Sequence, residues 1–350
     1  MAKGINPNLK LKPRTLKNVD QYLDGLNRGD RFVLSEVLTL IESNNLTHRS
    51  LGEQILNALD LSFVNTTIRI GITGSPGAGK STFIEALGNH FIKKGKKVAV
   101  LAIDPSSTKS QGSILGDKTR MQSLSTHKNA FIRPTASANL LGGVAQSTKE
   151  SIALCEAAGY EIILIESVGV GQSETELADL VDMYLLLLLP GGGDGVQGIK
   201  RGIVELADMI VVNKHDGDSK SLAEQSRKDF AMSSSLFHHD LTSWKVPVEL
   251  CSSTEDQGFD RILDHLGAFH SLSNKHSFFH KKRKDQDQKW LAQQIKKVLI
   301  HKANQLFEVD THLEDKTESI SVFKALQKVS MEIEVEFKSF MNKKGNIDRK

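Results

Sequence analysis

Thr67-Ile-Arg-Ile-Gly-Ile-Thr-Gly-Ser-Pro-Gly-Ala-Gly-Lys-Ser-Thr82 is the stretch from which the rest of the chain can be read. Residues 67–73 form a short apolar, β-branched run. Gly74-Ser-Pro-Gly-Ala-Gly-Lys-Ser81 then matches the pattern G-x-x-x-x-G-K-[ST], and the residues that follow read as a helix to about position 94. A strand, a glycine loop and a helix in that order form the context in which this pattern binds phosphate. Gly74, Gly77 and Gly79 let successive backbone N–H groups curl around an anion, and the helix N-terminus adds its partial positive charge. Lys80 would reach the β- and γ-phosphates, and the Ser81 hydroxyl would ligate Mg²⁺. Ser75, Pro76, Ala78 and Thr82 complete the cradle.

Outward from the loop, short apolar runs alternate with longer amphipathic stretches. The runs lie at 67–73, 97–104, 130–134, 161–166, 181–190, 208–213 and 246–251. Near-continuous apolar runs suit strands buried on both faces of a parallel sheet. Their alternation with helical stretches predicts a doubly wound α/β domain with a mostly parallel sheet. We place this domain at 63–275, after an N-terminal helical extension at 1–62. There Leu34, Val37, Leu38 and Ile41, then Leu51, Ile55 and Leu59, recur at helical spacing. From 276 to 350 we expect a helical arm. It opens on the basic stretch 281–284 and carries Trp290, Leu291, Ile295, Val298, Leu299 and Leu306 on one face. Residues 331–337 fit a helix or a strand equally well.

In a parallel sheet the C-terminal strand ends share one edge, where the phosphate loop also lies. Asp104 ends the second run and Glu166 the fourth, so both are placed for Mg²⁺, which prefers carboxylates, phosphate oxygens and water. Asp117 is a third candidate, although it would equally cap a helix over 118–124. Glu166-Ser-Val-Gly169 reads as a D-x-x-G switch with Glu in place of Asp, and the Gly169 amide would sense the γ-phosphate. Asn213-Lys-His-Asp216 follows the sixth run and reads as N-K-x-D. The Asp216 carboxylate can accept hydrogen bonds from guanine N1–H and the exocyclic amine, a pair that adenine lacks. Lys214 belongs to the same motif. Cys251-Ser-Ser253 ends the last run. It is either a loop whose amides contact guanine O6 or a buried cysteine followed by a turn.

Composition narrows the classes. The 350 residues carry 45 lysines and arginines against 42 acidic residues, a net charge of +3. Such balance gives no electrostatic case for nucleic-acid binding. Cys155 and Cys251 lack ligand spacing, which argues against a disulfide framework and for a reducing compartment. Residues 1–17 lack the apolar core of a secretory signal. The most apolar run, 184–189, is far shorter than the ~20 residues needed to span a bilayer. A cytoplasmic protein without a membrane partner is expected.

Several segments in fixed order carry a resemblance: Gly74 to Thr82, Asp104-Pro-Ser-Ser107, Ser113-Ile-Leu-Gly-Asp-Lys-Thr-Arg-Met121, Leu141-Gly-Gly-Val-Ala145, Leu154-Cys-Glu-Ala-Ala-Gly-Tyr160, Val168-Gly-Val-Gly-Gln-Ser-Glu174 and Gln197-Gly-Ile-Lys200. Over about residues 20–310 the chain resembles the MeaB-type (ArgK-type) G proteins, chaperones of adenosylcobalamin-dependent acyl-CoA mutases such as methylmalonyl-CoA mutase. The resemblance implies a GTP/GDP-binding domain between a helical extension and a dimerisation arm. It implies metal roles for Asp104, Asp117 and Glu166, and a third switch over 191–200 in which Gln197 and Lys200 act. Two departures stand out. The switch reads Pro190-Gly-Gly-Gly-Asp-Gly-Val-Gln197, with Gly195 where the family usually carries an acidic residue, and Ser167 stands where Thr is usual.

The expected activity is slow, partner-stimulated GTP hydrolysis, because no glutamine directly follows Gly169 to position water. The expected partner is an adenosylcobalamin-dependent mutase, whose cofactor loading the protein gates. A transport-associated or metabolic kinase or ATPase is the alternative. It would need a base-tolerant site and an acceptor pocket, and no acceptor motif is present. A nickel-insertion GTPase would carry a Cys-x-Cys site or a histidine tract. Here the twelve histidines are scattered.

Overall fold

The computed structural model describes residues 16–60, 66–104, 121–136, 143–167, 173–191, 201–234, 239, 241 and 244–307. Three helices come first: α1 (Val19–Asn27), α2 (Arg31–Ile41) and α3 (Leu46–Asn57). Each starts where a side chain satisfies orphan backbone donors. Asn18 forms a capping box with Gln21, Asp30 accepts from the Phe32 and Val33 amides, and Asn45 accepts from those of Thr47 and His48. Each cap stabilises its helix by about 1 kcal/mol.

Strands and helices then alternate: β1 (Ile68–Gly74), α4 (Lys80–Lys93), β2 (Val98–Asp104), α5 (Gln122–Thr126), β3 (Ala130–Ala136), α6 (Gly143–Ala157), β4 (Ile162–Ser167), α7 (Ser173–Ala178), β5 (Met183–Leu188), α8 (Arg201–Glu205), β6 (Met209–Val212), α9 (Lys220–Ser234), β7 (Val248–Leu250), α10 (Phe259–Lys275) and α11 (Phe278–Phe307). All seven strands expected from the apolar runs are present. They form one sheet in the order β3-β2-β4-β1-β5-β6-β7, and every pairing is parallel. Successive strand residues alternate between two cores, as the period of two requires. Met183, Leu185 and Leu187 of β5 pack with Phe83, Leu87 and Phe259 on one face. Tyr184, Leu186 and Leu188 pack with α6, α9 and the N-terminal helices on the other. The three N-terminal helices therefore share a core with the sheet through Leu34, Leu38, Ile41 and Ile55.

The chain divides into two compact units, residues 1–286 and 287–350. Within the first, the start of α11 is tied to the entrances of the strands. Arg283 grips the Asp182 carboxylate with Nε at 2.6 Å and also donates to the Thr67 carbonyl at 2.7 Å. Lys282 lies 3.5 Å from Asp208. Burial alone would raise the Asp208 carboxyl, but Lys282 and His239 outweigh it and hold the group below the usual carboxylate range. In the second unit, Leu291, Ile295, Val298, Leu299 and Ile300 of α11 are exposed. Leu306 and residues 331–337 lie outside the described side chains. No helix among the described residues is long and apolar enough to cross a membrane.

Candidate functional site

The glycine loop joins β1, the central strand of the sheet, to α4. Gly74 has φ +153°, and a Cβ there would sit 2.1 Å from the Leu187 carbonyl oxygen of β5. Gly79 caps α4 at φ +84°, and a Cβ would meet the Asn213 amide nitrogen at 2.8 Å. Side chains at either position would force the loop out of shape. Ser75, Pro76 and Gly77 form the exposed lip, and Ala78 is buried beneath it. Lys80 folds over the loop and donates to the carbonyls of Gly74 at 2.8 Å and Ser75 at 3.4 Å. A phosphate entering the loop offers that ammonium a charged, stronger acceptor.

Below the loop, the Ser81 hydroxyl donates to the Glu166 carboxylate at 3.1 Å. Glu166 reaches it because β4 pairs directly with β1, with Ile72 opposite Glu166. A hydroxyl and a carboxylate side by side at the floor of a phosphate loop suit Mg²⁺, a hard cation that takes oxygen ligands and keeps phosphate and water in its shell. Among the described residues no group of three or more His, Cys, Asp or Glu side chains forms a self-sufficient metal cage. Asp104 is the last residue of β2, on the same edge, but its side chain lies outside the described residues. Asp117, Gly169, Gln197 and Lys200 also lie outside them.

Two strands away, Asn213 joins the phosphate loop to the loops that follow β6 and β7. Its amide nitrogen donates to the Ala78 carbonyl at 2.8 Å. Its carbonyl oxygen accepts from the Ser253 hydroxyl at 2.8 Å, the Ser253 amide at 3.2 Å and the Cys251 thiol at 3.4 Å. Burial pushes that thiol up to about 12, with Ser253 acting the other way and Asp216 adding to the rise, so it stays protonated as a donor. Lys214 follows at φ +58°. The His215 amide then donates to the Cys251 carbonyl at 2.9 Å. Asp216 accepts from the Ser252 hydroxyl, and from the Thr254 hydroxyl at 3.2 Å through the same oxygen, Oδ2.

Cys251, Ser252 and Ser253 thus stand beside the N-K-x-D motif. Thr254, which joins this cluster through Asp216, is a candidate that sequence reasoning missed; a third small hydroxyl residue after Ser252-Ser253 is the signal that could have found it. A groove of about 600 Å³ runs from Thr82 and Ser253 along α4, past Glu85, Asn89, Ser123 and His127. Asn213→Ala should cost about 2–4 kcal/mol of stability, because it removes one donor and one acceptor that together make several buried bonds. It should also weaken GDP binding, since both loops lose their shared brace. Thermal unfolding and GDP titration check the two effects together.

Residues 34–307 match the family described as Methylmalonyl Co-A mutase-associated GTPase MeaB. The chain is 42% identical over 276 residues to the Escherichia coli protein named GTPase ArgK, covering 79% of this chain and 83% of that protein. It is 41% identical over 301 residues to the mouse protein named methylmalonic aciduria type A homolog, mitochondrial, covering 83% and 72% respectively. A solved structure named LAO/AO transport system kinase superposes with a TM-score of 0.73 at 33% identity, covering 91% of this chain and all of that one.

Proposed function

Because the chain belongs to the MeaB family of GTPases, we propose that it is a chaperone that couples GTP hydrolysis to an adenosylcobalamin-dependent acyl-CoA mutase of the methylmalonyl-CoA mutase type, gating cofactor loading and protecting the loaded enzyme. The observation that carries the nucleotide part is the Asn213 brace, which sets the phosphate loop and the Asp216 loop at a fixed separation. The mutase part is supported by the family match and by the name of the mouse relative.

Lys80 binds the β- and γ-phosphates, and the loop amides hold their remaining oxygens. Ser81 and Glu166 hold Mg²⁺, with Asp104 and Asp117 as further ligands. Once bound, the ion supplies charge neutralisation on the phosphate oxygens. Asp216 reads guanine while Ser252 and Thr254 fix its carboxylate. Gly169 senses the γ-phosphate. Gln197 and Lys200, in the segment after β5, supply the partner-dependent part, Lys200 as the cation that stabilises transition-state charge. The cluster around Asp216 argues against ATP, and with the missing acceptor motif it disfavours the kinase reading that the name of the superposed protein would suggest. Both cysteines are free and buried, which supports a reducing, cytoplasmic setting.

The test is GTP turnover by the purified chain with and without a cobalamin-dependent acyl-CoA mutase. Acceleration by the mutase supports the proposal, and an unchanged rate at saturating mutase contradicts it.

We also assign the arm to homodimerisation. Leu291, Ile295, Val298 and Leu299 follow the i, i+4, i+7, i+8 spacing of one helical face and are half exposed or more. A long helix of this kind gains most of its stability by packing that face. Light scattering at micromolar concentration should report a dimer, and replacing Leu291, Ile295 and Val298 together with Glu should give a folded monomer. A monomeric parent chain would refute the assignment.

A further inference from the structure

The ladder between β1 and β4 stops one residue short of the site. It runs from Ile68 opposite Ile162 to Ile72 opposite Glu166. The next residues stay paired only to their outer neighbours, Thr73 to Leu186 of β5 and Ser167 to Ile103 of β2. The two strands therefore part at this step, and a side-chain bond spans the gap. The Ser167 hydroxyl donates to the Thr73 hydroxyl oxygen at 2.8 Å, with both residues fully buried.

What lies on either side of this bridge gives it a role. Thr73 leads directly into Gly74, whose carbonyl holds Lys80. Ser167 directly follows Glu166, whose carboxylate holds Ser81. The phosphate loop and the carboxylate thus leave the sheet from two strands joined at their last shared level by one pair of hydroxyls.

We propose that Ser167 and Thr73 are positioning residues that set the approach of Glu166 to Ser81, and thereby the Mg²⁺ affinity of the nucleotide-bound protein. This rests on the reading of Ser81 and Glu166 as metal ligands. Both hydroxyls are sealed from solvent, so their influence passes through the separation of the two strand ends. A buried bond of this kind tolerates little drift, because an unpaired hydroxyl has no water to turn to.

The experiment uses the full chain loaded with a fluorescent GDP analogue. Its release rate is followed as Mg²⁺ is titrated, and again in EDTA. For the wild type, Mg²⁺ should slow release with a defined midpoint. Ser167→Ala and Thr73→Val should each raise that midpoint about tenfold, the size of one lost hydrogen bond. Release in EDTA should stay within about twofold of wild type for both. Ser167→Thr, which keeps the hydroxyl, should restore the wild-type midpoint. Thr73→Val keeps the volume and carries the same test if Ser167→Ala folds poorly. A Mg²⁺-sensitive wild type with unchanged midpoints in both hydroxyl-deletion variants overturns the positioning role alone. A wild type whose release ignores Mg²⁺ overturns the metal reading and the proposal with it.

Discussion

Lys80→Ala should abolish tight binding of GDP and GTP while leaving the protein folded. The ammonium is only part-buried, and it donates to two carbonyls of its own loop. The side chain belongs to neither apolar core. Against a nucleotide the same group faces two phosphates, where charge-assisted bonds have about twice the strength of neutral ones. Removing it should cost about 3 kcal/mol or more, at least roughly a hundredfold in affinity. Calorimetric titration gives the affinity, and a melting temperature close to the parent's confirms the fold. Parent-like GDP binding by the variant would mean that the glycine loop is not the phosphate site.

Asp216→Asn should exchange one base for another. The carboxylate is anchored by Ser252 and Thr254 through a single oxygen. An ionised carboxylate can accept both guanine donors, whereas an amide offers one acceptor and one donor. GDP then meets an N–H group facing its exocyclic amine, while xanthine presents a carbonyl there. Sites that hydrogen-bond a specific edge discriminate by about 10⁴–10⁵ at best. We therefore expect GDP to weaken by about 10²-fold or more and xanthosine diphosphate to become the preferred ligand. Competition between the two diphosphates on the variant decides it. An unchanged preference for GDP would remove Asp216 from base recognition.

The sheet was legible because its strands are buried on both faces. Runs such as Tyr184-Leu-Leu-Leu-Leu-Leu189 have few alternatives to a central parallel strand, and β5 occupies Met183–Leu188. The ends were less legible. β7 holds only three residues, Val248–Leu250, each half-buried, where the apolar run covered six. The shared edge of Lys80, Ser81, Glu166 and Asp216 was legible because each lies at or just after the C-terminal end of a parallel strand.

What stayed hidden depends on contacts between distant residues. Asn213 reads in sequence as part of a base motif, yet its amide binds a carbonyl 135 positions away. The basic stretch 281–284 looks like a solvated charge run. Instead Arg283 pairs with Asp182 across 101 positions, at the start of a strand no local pattern links to it. The Ser167 to Thr73 bond is of the same kind, since nothing in either segment links two hydroxyls 94 positions apart.

In the proposed function, one sheet edge assembles a guanine-specific phosphate site. Titrating the purified chain with GDP and then with ADP, each with Mg²⁺ in a calorimeter, tests it most directly. Tight GDP binding is the predicted result, with ADP weaker by about a hundredfold or more, because the Asp216 carboxylate finds no donor pair on adenine. Comparable affinities for the two would contradict it.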